Sequence, residues 1–171
     1  RGVLWLHSFG YEEAIDAFRA AQKIDPGFAL AYWGEAMAFN QPLWFHEDVK
    51  AGQASLAKLG PTPQARAAKA KTPREQGYLA AVDALFGTGT KAARDKAYAE
   101  RMAALAQQNP QDDEAQAFYA LSLLAMLPPG DEALPMREKA GAIVEGVFKR
   151  NPQHPGAPHY ILHAYDHAQL A

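Results

Sequence analysis

The residues best suited to chemistry lie near the end of the chain. His159 and His163 are four residues apart, so on a helix both side chains project from one face. Asp166 follows three residues later, and at roughly 100° per residue the three fall within about 60° of arc. A histidine pair at this spacing is one way in which a single helix grips a transition metal. The pattern predicts a metal site at His159 and His163, for zinc, copper or nickel, with Asp166 as a third ligand or as a partner of a ring nitrogen.

One helix turn alone does not complete such a site. His159 and Asp166 are separated by about 10 Å along a helix axis, too far for easy binding of one ion. A ligand from another helix, from His7 or His46, is therefore expected. The competing interpretation is that these histidines bond to their neighbours or to a peptide carboxylate.

Other reactive motifs are missing from the sequence. It contains no His-Glu-x-x-His, no Gly-x-Ser-x-Gly and no cysteine, which argues against a zinc peptidase, a serine hydrolase of that type and a cysteine nucleophile. The sequence favours a binding protein over an enzyme, without deciding between them.

Composition limits the remaining classes. The 171 residues carry a formal net charge of -2, so no overall attraction to nucleic acid is expected. A local basic run, Arg66, Lys69, Lys71 and Arg74, is interpreted as a solvated helix face. The sequence has no apolar stretch of about 18 residues, so no membrane span is predicted. The lack of cysteine leaves a cytoplasmic or a periplasmic location open. One domain over 1–171 is expected, and the abrupt ends suggest part of a longer protein.

A repeated helical pattern positions these residues. Ala14, Phe18 and Ala21 share one helix face, and Pro26 stops that helix. The pattern predicts helices at 2–8 and 11–23, and similar patterns continue to the end of the chain. Thr72 before Pro73 is typical of a helix start. The sequence predicts about nine helices, one of them at 46–59, and no sheet.

The spacing of these residues resembles a tetratricopeptide repeat. Gly2 and Trp5, then Tyr11, Ala14, Phe18 and Ala21, then Asp25-Pro26 follow its consensus. Longer strings are similar to a group of bacterial tetratricopeptide-repeat proteins that supplies no agreed activity: LHSF (6–9), AYWGEAMA (31–38), NQPLW (40–44), TPRE (72–75) and HPGAPHY (154–160). The resemblance covers nearly the whole chain and implies a superhelix of helical hairpins.

The resemblance also implies which side chains line the concave inner wall of such a superhelix. The implied wall residues are Trp33, Met37, Asn40, Gln41, His159, His163 and Asp166, with His7 on the same wall. Trp33 and Met37 are better explained as core residues, because aromatic residues and methionine at helical spacing usually pack in the core. The resemblance favours a scaffold that binds a protein or peptide without a cofactor. The alternatives are a metal-binding protein or metalloenzyme fragment that uses the histidine pair, and a purely architectural segment.

Overall fold

The computed structural model describes residues 1–170, which form ten α-helices, two short 3₁₀ turns and one two-stranded antiparallel sheet. The helices are α1 (Gly2–His7), α2 (Tyr11–Ile24), α3 (Ala29–Met37), α4 (Val49–Leu59), α5 (Pro63–Ala67), α6 (Pro73–Leu85), α7 (Lys91–Gln108), α8 (Asp113–Leu124), α9 (Leu134–Arg150) and α10 (Gly156–Tyr165). The all-α class predicted from the sequence is confirmed. The helix count in these residues is slightly higher than expected, and the expectation of no sheet is wrong.

The sheet replaces the predicted start of a helix. Its strands are β1 (Asn40–Gln41) and β2 (His46–Glu47), joined by a 3₁₀ turn at Pro42–Trp44. The helix predicted at 46–59 starts instead at Val49. Strands of two residues are too short to show an alternating pattern, so the sequence does not predict them.

Helix starts follow the local chemistry that the sequence predicts. The Thr72 hydroxyl accepts from the backbone N–H of Glu75 at 3.1 Å, and the Glu75 carboxylate accepts from the Thr72 N–H at 3.0 Å. With Pro73 in the first turn, this is a complete capping box. Side-chain caps also mark the starts of α4, α5, α7 and α8, and a cap fixes where its helix begins and which face that helix presents.

Helices that are adjacent in sequence pack against one another along most of the chain. Contacts join α1 to α2, α2 to α3, α3 to α4, and then each helix from α5 to α10 with the next. Longer-range contacts join α3 to α6, α8 to α10, and α1 to α10. The first and last helices therefore meet, and this meeting assembles the candidate site.

Close approach among α1, α2 and α3 depends on glycine. The ring of Phe18 on α2 fills space that a Cβ at Gly34 on α3 or at Gly2 on α1 would occupy. Phe18 also lies edge-on to Trp33, with ring centroids 6.4 Å apart. Three helices thus pack on one aromatic ring.

A buried carboxylate ties α2, α3 and α4 together. Glu35 on α3 is fully buried, and its oxygens accept from Arg19 at 2.8 Å, Gln22 at 2.7 Å and Lys58 at 2.7 Å. Burial alone raises the pKa of Glu35, but the bonds from Lys58, Gln22 and Arg19 outweigh it and lower the pKa. The charge is therefore held by three donors from two neighbouring helices.

Glu35→Gln is expected to lower the free energy of unfolding by about 2 kcal/mol, because the amide loses the charge-assisted bonds. Arg19 and Lys58 are about half exposed and can return to water, which limits the loss. Urea denaturation followed by circular dichroism measures it. Glu12→Gln, at an exposed position on α2, is the control. Equal effects of the two substitutions would show that the Glu35 contacts contribute little.

The sequence suggested that the basic run at 66–74 is a solvated helix face, and this interpretation is wrong for its two arginines. Arg66 is buried and donates to Asp83 at 2.6 Å, and Arg74 pairs with Asp112 on the cap of α8. Only the two lysines of the run are exposed. Half of the run therefore joins helices. Among residues 1–170, no helix is both long and apolar enough to cross a membrane.

Candidate functional site

The candidate site lies where α1, α8 and α10 meet. His7, the last residue of α1, is fully buried, and its backbone carbonyl accepts from Nδ1 of His159 at 2.6 Å. A carbonyl can only accept, so the proton of neutral His159 is on Nδ1 and its Nε2 carries a free lone pair. Contact between the two ends of the described chain therefore sets the tautomer of His159.

The two predicted histidines meet in space. Nε2 of His163 lies 3.2 Å from Nε2 of His159. Two imidazole nitrogens bound to one tetrahedral metal at about 2.0–2.1 Å lie about 3.3–3.4 Å apart, so the pair needs little movement to share an ion. The same distance also fits a hydrogen bond from His163 to His159. In both arrangements the second ring nitrogen of His159 is held by a carbonyl, as is usual for a metal-ligating histidine.

Aromatic side chains cover the pair. The Phe9 ring lies 4.4 Å from the His159 ring and 5.7 Å from the His163 ring, and Trp44 meets Phe9 edge-on at 5.1 Å. Phe9 adopts a left-handed backbone conformation with φ 57°, which costs about 1–2 kcal/mol in a residue of this kind. The strain is maintained by packing that seats Phe9 on the histidines.

His163 is kept neutral. Burial lowers its pKa, and the neighbouring His159 and Arg137 lower it further, against an opposite effect of Asp166. Its lone pair is therefore available at neutral pH, as metal binding requires. Asp166 lies just past the end of α10, is exposed, and lines the same surface cavity as His163.

A second polar cluster lies deeper. Nε2 of His7 contacts the Glu114 carboxylate at 2.6 Å, and Nδ1 of His7 contacts the Tyr160 hydroxyl at 2.8 Å. His154 lies on the other side of Glu114, with its Nε2 3.7 Å from Oε1. Burial raises the pKa of Glu114, but the adjacent imidazoles of His154 and His7 outweigh it and lower the pKa to about 2. Glu114 is thus an ionised carboxylate clamped between two imidazoles.

This inner cluster has metal-ligand residue types but an unfavourable tautomer. One atom each of His7, Glu114 and His154 lies within 4.8 Å of the others. The backbone N–H of Ala157, however, donates to Nδ1 of His154 at 3.1 Å. That bond places the proton of a neutral His154 on Nε2, the atom that would have to ligate an ion. The cluster is therefore better suited to holding the Glu114 carboxylate, which joins α1, α8 and the segment before α10.

Glu114 and His154 are functional candidates that the sequence did not reveal. Glu114 lies 107 positions from His7, so no spacing connects them. His154 precedes a proline and resembles a loop residue, but is only 4% exposed. Once the structure shows that His154 is buried, chemistry predicts a polar partner for it, but the sequence alone does not show the burial.

The remaining predicted residues are largely buried, although Trp33 borders a cleft formed by α1, α2 and α3. Trp33, Met37 and Asn40 are 3%, 5% and 5% exposed, and Gln41 is half-buried in β1. The cavity beside Met37 and Asn40 is about 10 Å³, so a ligand could reach these side chains only if helices separated. His46, the other suggested metal ligand, is exposed on β2.

Fold and site together define an all-α protein of serially packed helices in which the last helix carries a converging histidine pair. No protein-family model, curated protein or solved structure matches the chain.

Proposed function

We propose that the protein binds a transition metal ion through His159 and His163. The observation that carries this proposal is the 3.2 Å separation of the two Nε2 atoms, with Nδ1 of His159 already engaged by the His7 carbonyl. Imidazole nitrogen suits zinc, copper and nickel. Two protein ligands leave positions for water or for a molecule from the adjoining cavity, which His163 lines.

The first test is the metal content of untagged protein, combined with calorimetric titration of zinc, copper and nickel. We expect about one ion per chain, and affinity at least about 100-fold weaker in His159→Ala/His163→Ala, because both ligands are lost. Affinity should fall as the pH is lowered, since both rings must be neutral to bind. His46→Ala, which removes an exposed histidine of β2, is the matched control.

The alternative outcomes are distinct. Metal that persists in the double variant but is lost in Glu114→Gln would place the ion at the inner cluster. No binding of any of the three metals would leave the pair as a hydrogen-bonded structural element. Either result would contradict the proposal.

A second candidate is peptide binding by a tetratricopeptide-type superhelix. It is supported by the serial packing of helices and by an apolar cleft of about 680 Å³ formed by α1, α2 and α3. Trp5, Ile24 and Phe28 line that cleft and are 44%, 86% and 39% exposed. An amphipathic partner helix would fit such a surface. Loss of a captured helical peptide in Ile24→Asp, with unchanged melting, would support this function.

A further inference from the structure

Arg137 is a cation without an anion. This α9 residue donates from Nη1 to the backbone carbonyls of His163 at 2.8 Å and Ala164 at 3.3 Å. Its Nε is buried and has no hydrogen-bond partner. Among residues 1–170, no carboxylate forms an ion pair with it. Nη2 forms no hydrogen bond among the described residues, so it retains donors for an incoming ligand.

Arg137 opens onto a cavity of about 510 Å³ beside the last helix. This volume lies in the range of about 300–1,000 Å³ typical of small-molecule sites. Most of the lining residues are apolar and come from the connection between β1 and β2, from the end of α8 and from the segment that follows it: Leu43, Phe45, Leu124, Leu127, Pro128 and Pro129. The polar lining consists of Arg137, His163 and Asp166.

We propose that this cavity binds a small organic monocarboxylate with an apolar body. The planar guanidinium of Arg137 suits the two oxygens of a carboxylate, and the leucine and proline wall suits the body. Asp166 repels further negative charge, so dianions such as phosphate are disfavoured. An ammonium group next to the carboxylate is tolerated, because Asp166 can pair with it.

This inference goes beyond the proposed metal binding and does not depend on it. Arg137 is not a metal ligand, and the ligand carboxylate needs no ion to be held. Binding is therefore measured on protein kept metal-free by a chelator, so failure of one proposal leaves the other standing.

The probes are 3-phenylpropanoate, 2-phenylethylamine and inorganic phosphate. Their binding is measured by calorimetry or by chemical shift changes in NMR spectra. The first two share a phenyl body and differ in the charged group. We expect 3-phenylpropanoate to bind at least about tenfold more tightly than the amine or phosphate. Arg137→Met should weaken it at least about tenfold, and Arg101→Met, at an exposed position on α7, should not change it.

Arg137 also bonds the end of α10, so its loss could disturb the fold. Two further variants avoid this difficulty. Arg137→Lys keeps the charge but loses the planar fork, and intermediate affinity is expected. Leu43→Trp puts a larger side chain into the lining of the same cavity and leaves Arg137 and its bonds to α10 in place, so loss of binding with an unchanged melting temperature is expected.

Three results would overturn the proposal. The first is no saturable binding of 3-phenylpropanoate up to about 10 mM. The second is equal affinity for the amine. The third is affinity that is unchanged in both Arg137→Met and Leu43→Trp.

Discussion

Replacing Gly34 by alanine is expected to lower the free energy of unfolding by about 3 kcal/mol, the upper part of the usual range for overpacking. A Cβ at this position would come closer than 3.0 Å to three carbons of the Phe18 ring. Contacts that short do not occur in relaxed proteins, so either the ring or a helix must move.

The Phe18 ring has little room to move away from α3, although it borders the cleft formed by α1, α2 and α3. It is 6% exposed, and a Cβ at Gly2 on the other side would also come closer than 3.0 Å to it. Trp33 closes the edge of the ring. Protein interiors are close-packed, so the strain passes to the contact of α2 with α1 and α3.

Gly146→Ala is the matched control. Gly146 lies within α9, and the nearest atom to an added Cβ is Nη1 of Arg150 at 3.7 Å, an ordinary contact. Alanine there should stabilise the protein by about 0.5–1 kcal/mol, because it favours the helix over the unfolded chain. Urea denaturation of both variants measures the contrast.

A double variant isolates the steric cause. Gly34→Ala/Phe18→Leu should be less destabilised than the sum of its two single variants, because the smaller side chain makes room for the Cβ. Additive effects would show that the cost of alanine at position 34 does not depend on the Phe18 ring, and would contradict the packing argument.

Local features of the fold are predictable from the sequence. The spacing of Ala14, Phe18 and Ala21 and the stop at Pro26 predict a helix at 11–23, and α2 spans Tyr11–Ile24. The helix predicted at 2–8 is α1 (Gly2–His7). These signals succeed because helix periodicity, caps and proline act over a few residues.

The path of the chain in space is much less predictable. Whether α1 reaches α10 depends on small rotations that add up over all the intervening helices, and no local pattern contains that sum. The sequence shows that His7, Glu114 and His154 are present, but it does not predict that they lie together. Periodicity likewise placed Trp33 on a defined helix face without showing that neighbouring helices bury it.

Only the histidine pair was within reach of sequence reasoning. His159 and His163 lie on one helix, so their spacing alone brings them together. The carbonyl that fixes the tautomer of His159 comes from His7, 152 positions away, and needed the structure.

Acid is expected to destabilise the protein through Glu114. Its pKa is lowered from the ordinary value of 4.5 to about 2 in the folded state. In the unfolded chain Glu114 is protonated as the pH falls through its ordinary pKa of 4.5, whereas in the folded protein it is protonated only at a lower pH. The stabilisation from Glu114 is therefore complete above about pH 4.5 and is lost progressively as the pH falls to about 2. Its size is about 2 kcal/mol, because the side chain is 34% exposed and solvent screens part of the full effect.

Glu114→Gln tests this expectation. The amide oxygen can still accept from Nε2 of His7, so the shape of the cluster is kept while its charge is removed. At pH 7 the variant should be about 2 kcal/mol less stable than the natural chain, and the difference should vanish by about pH 2. Subtracting the two stability curves removes the contribution of Glu35, whose pKa is also lowered. Glu100→Gln, an exposed position on α7, is the control.

Amide hydrogen exchange of the same variant tests whether Glu114 holds the helices of the inner cluster together. If Glu114 acts as the clamp between α1, α8 and the segment before α10, its loss should weaken the contact of α1 with α10 and leave the packing of α2 against α3 intact. Amide hydrogen exchange would then increase in α10 before α2, since local openings follow local stability. Parallel stability curves for Glu114→Gln and the natural chain between about pH 4.5 and 2 would contradict the lowered pKa, and uniform exchange would contradict the clamp. The clamp matters for the outer pair as well, because the backbone of His7, held by Glu114, is what orients His159.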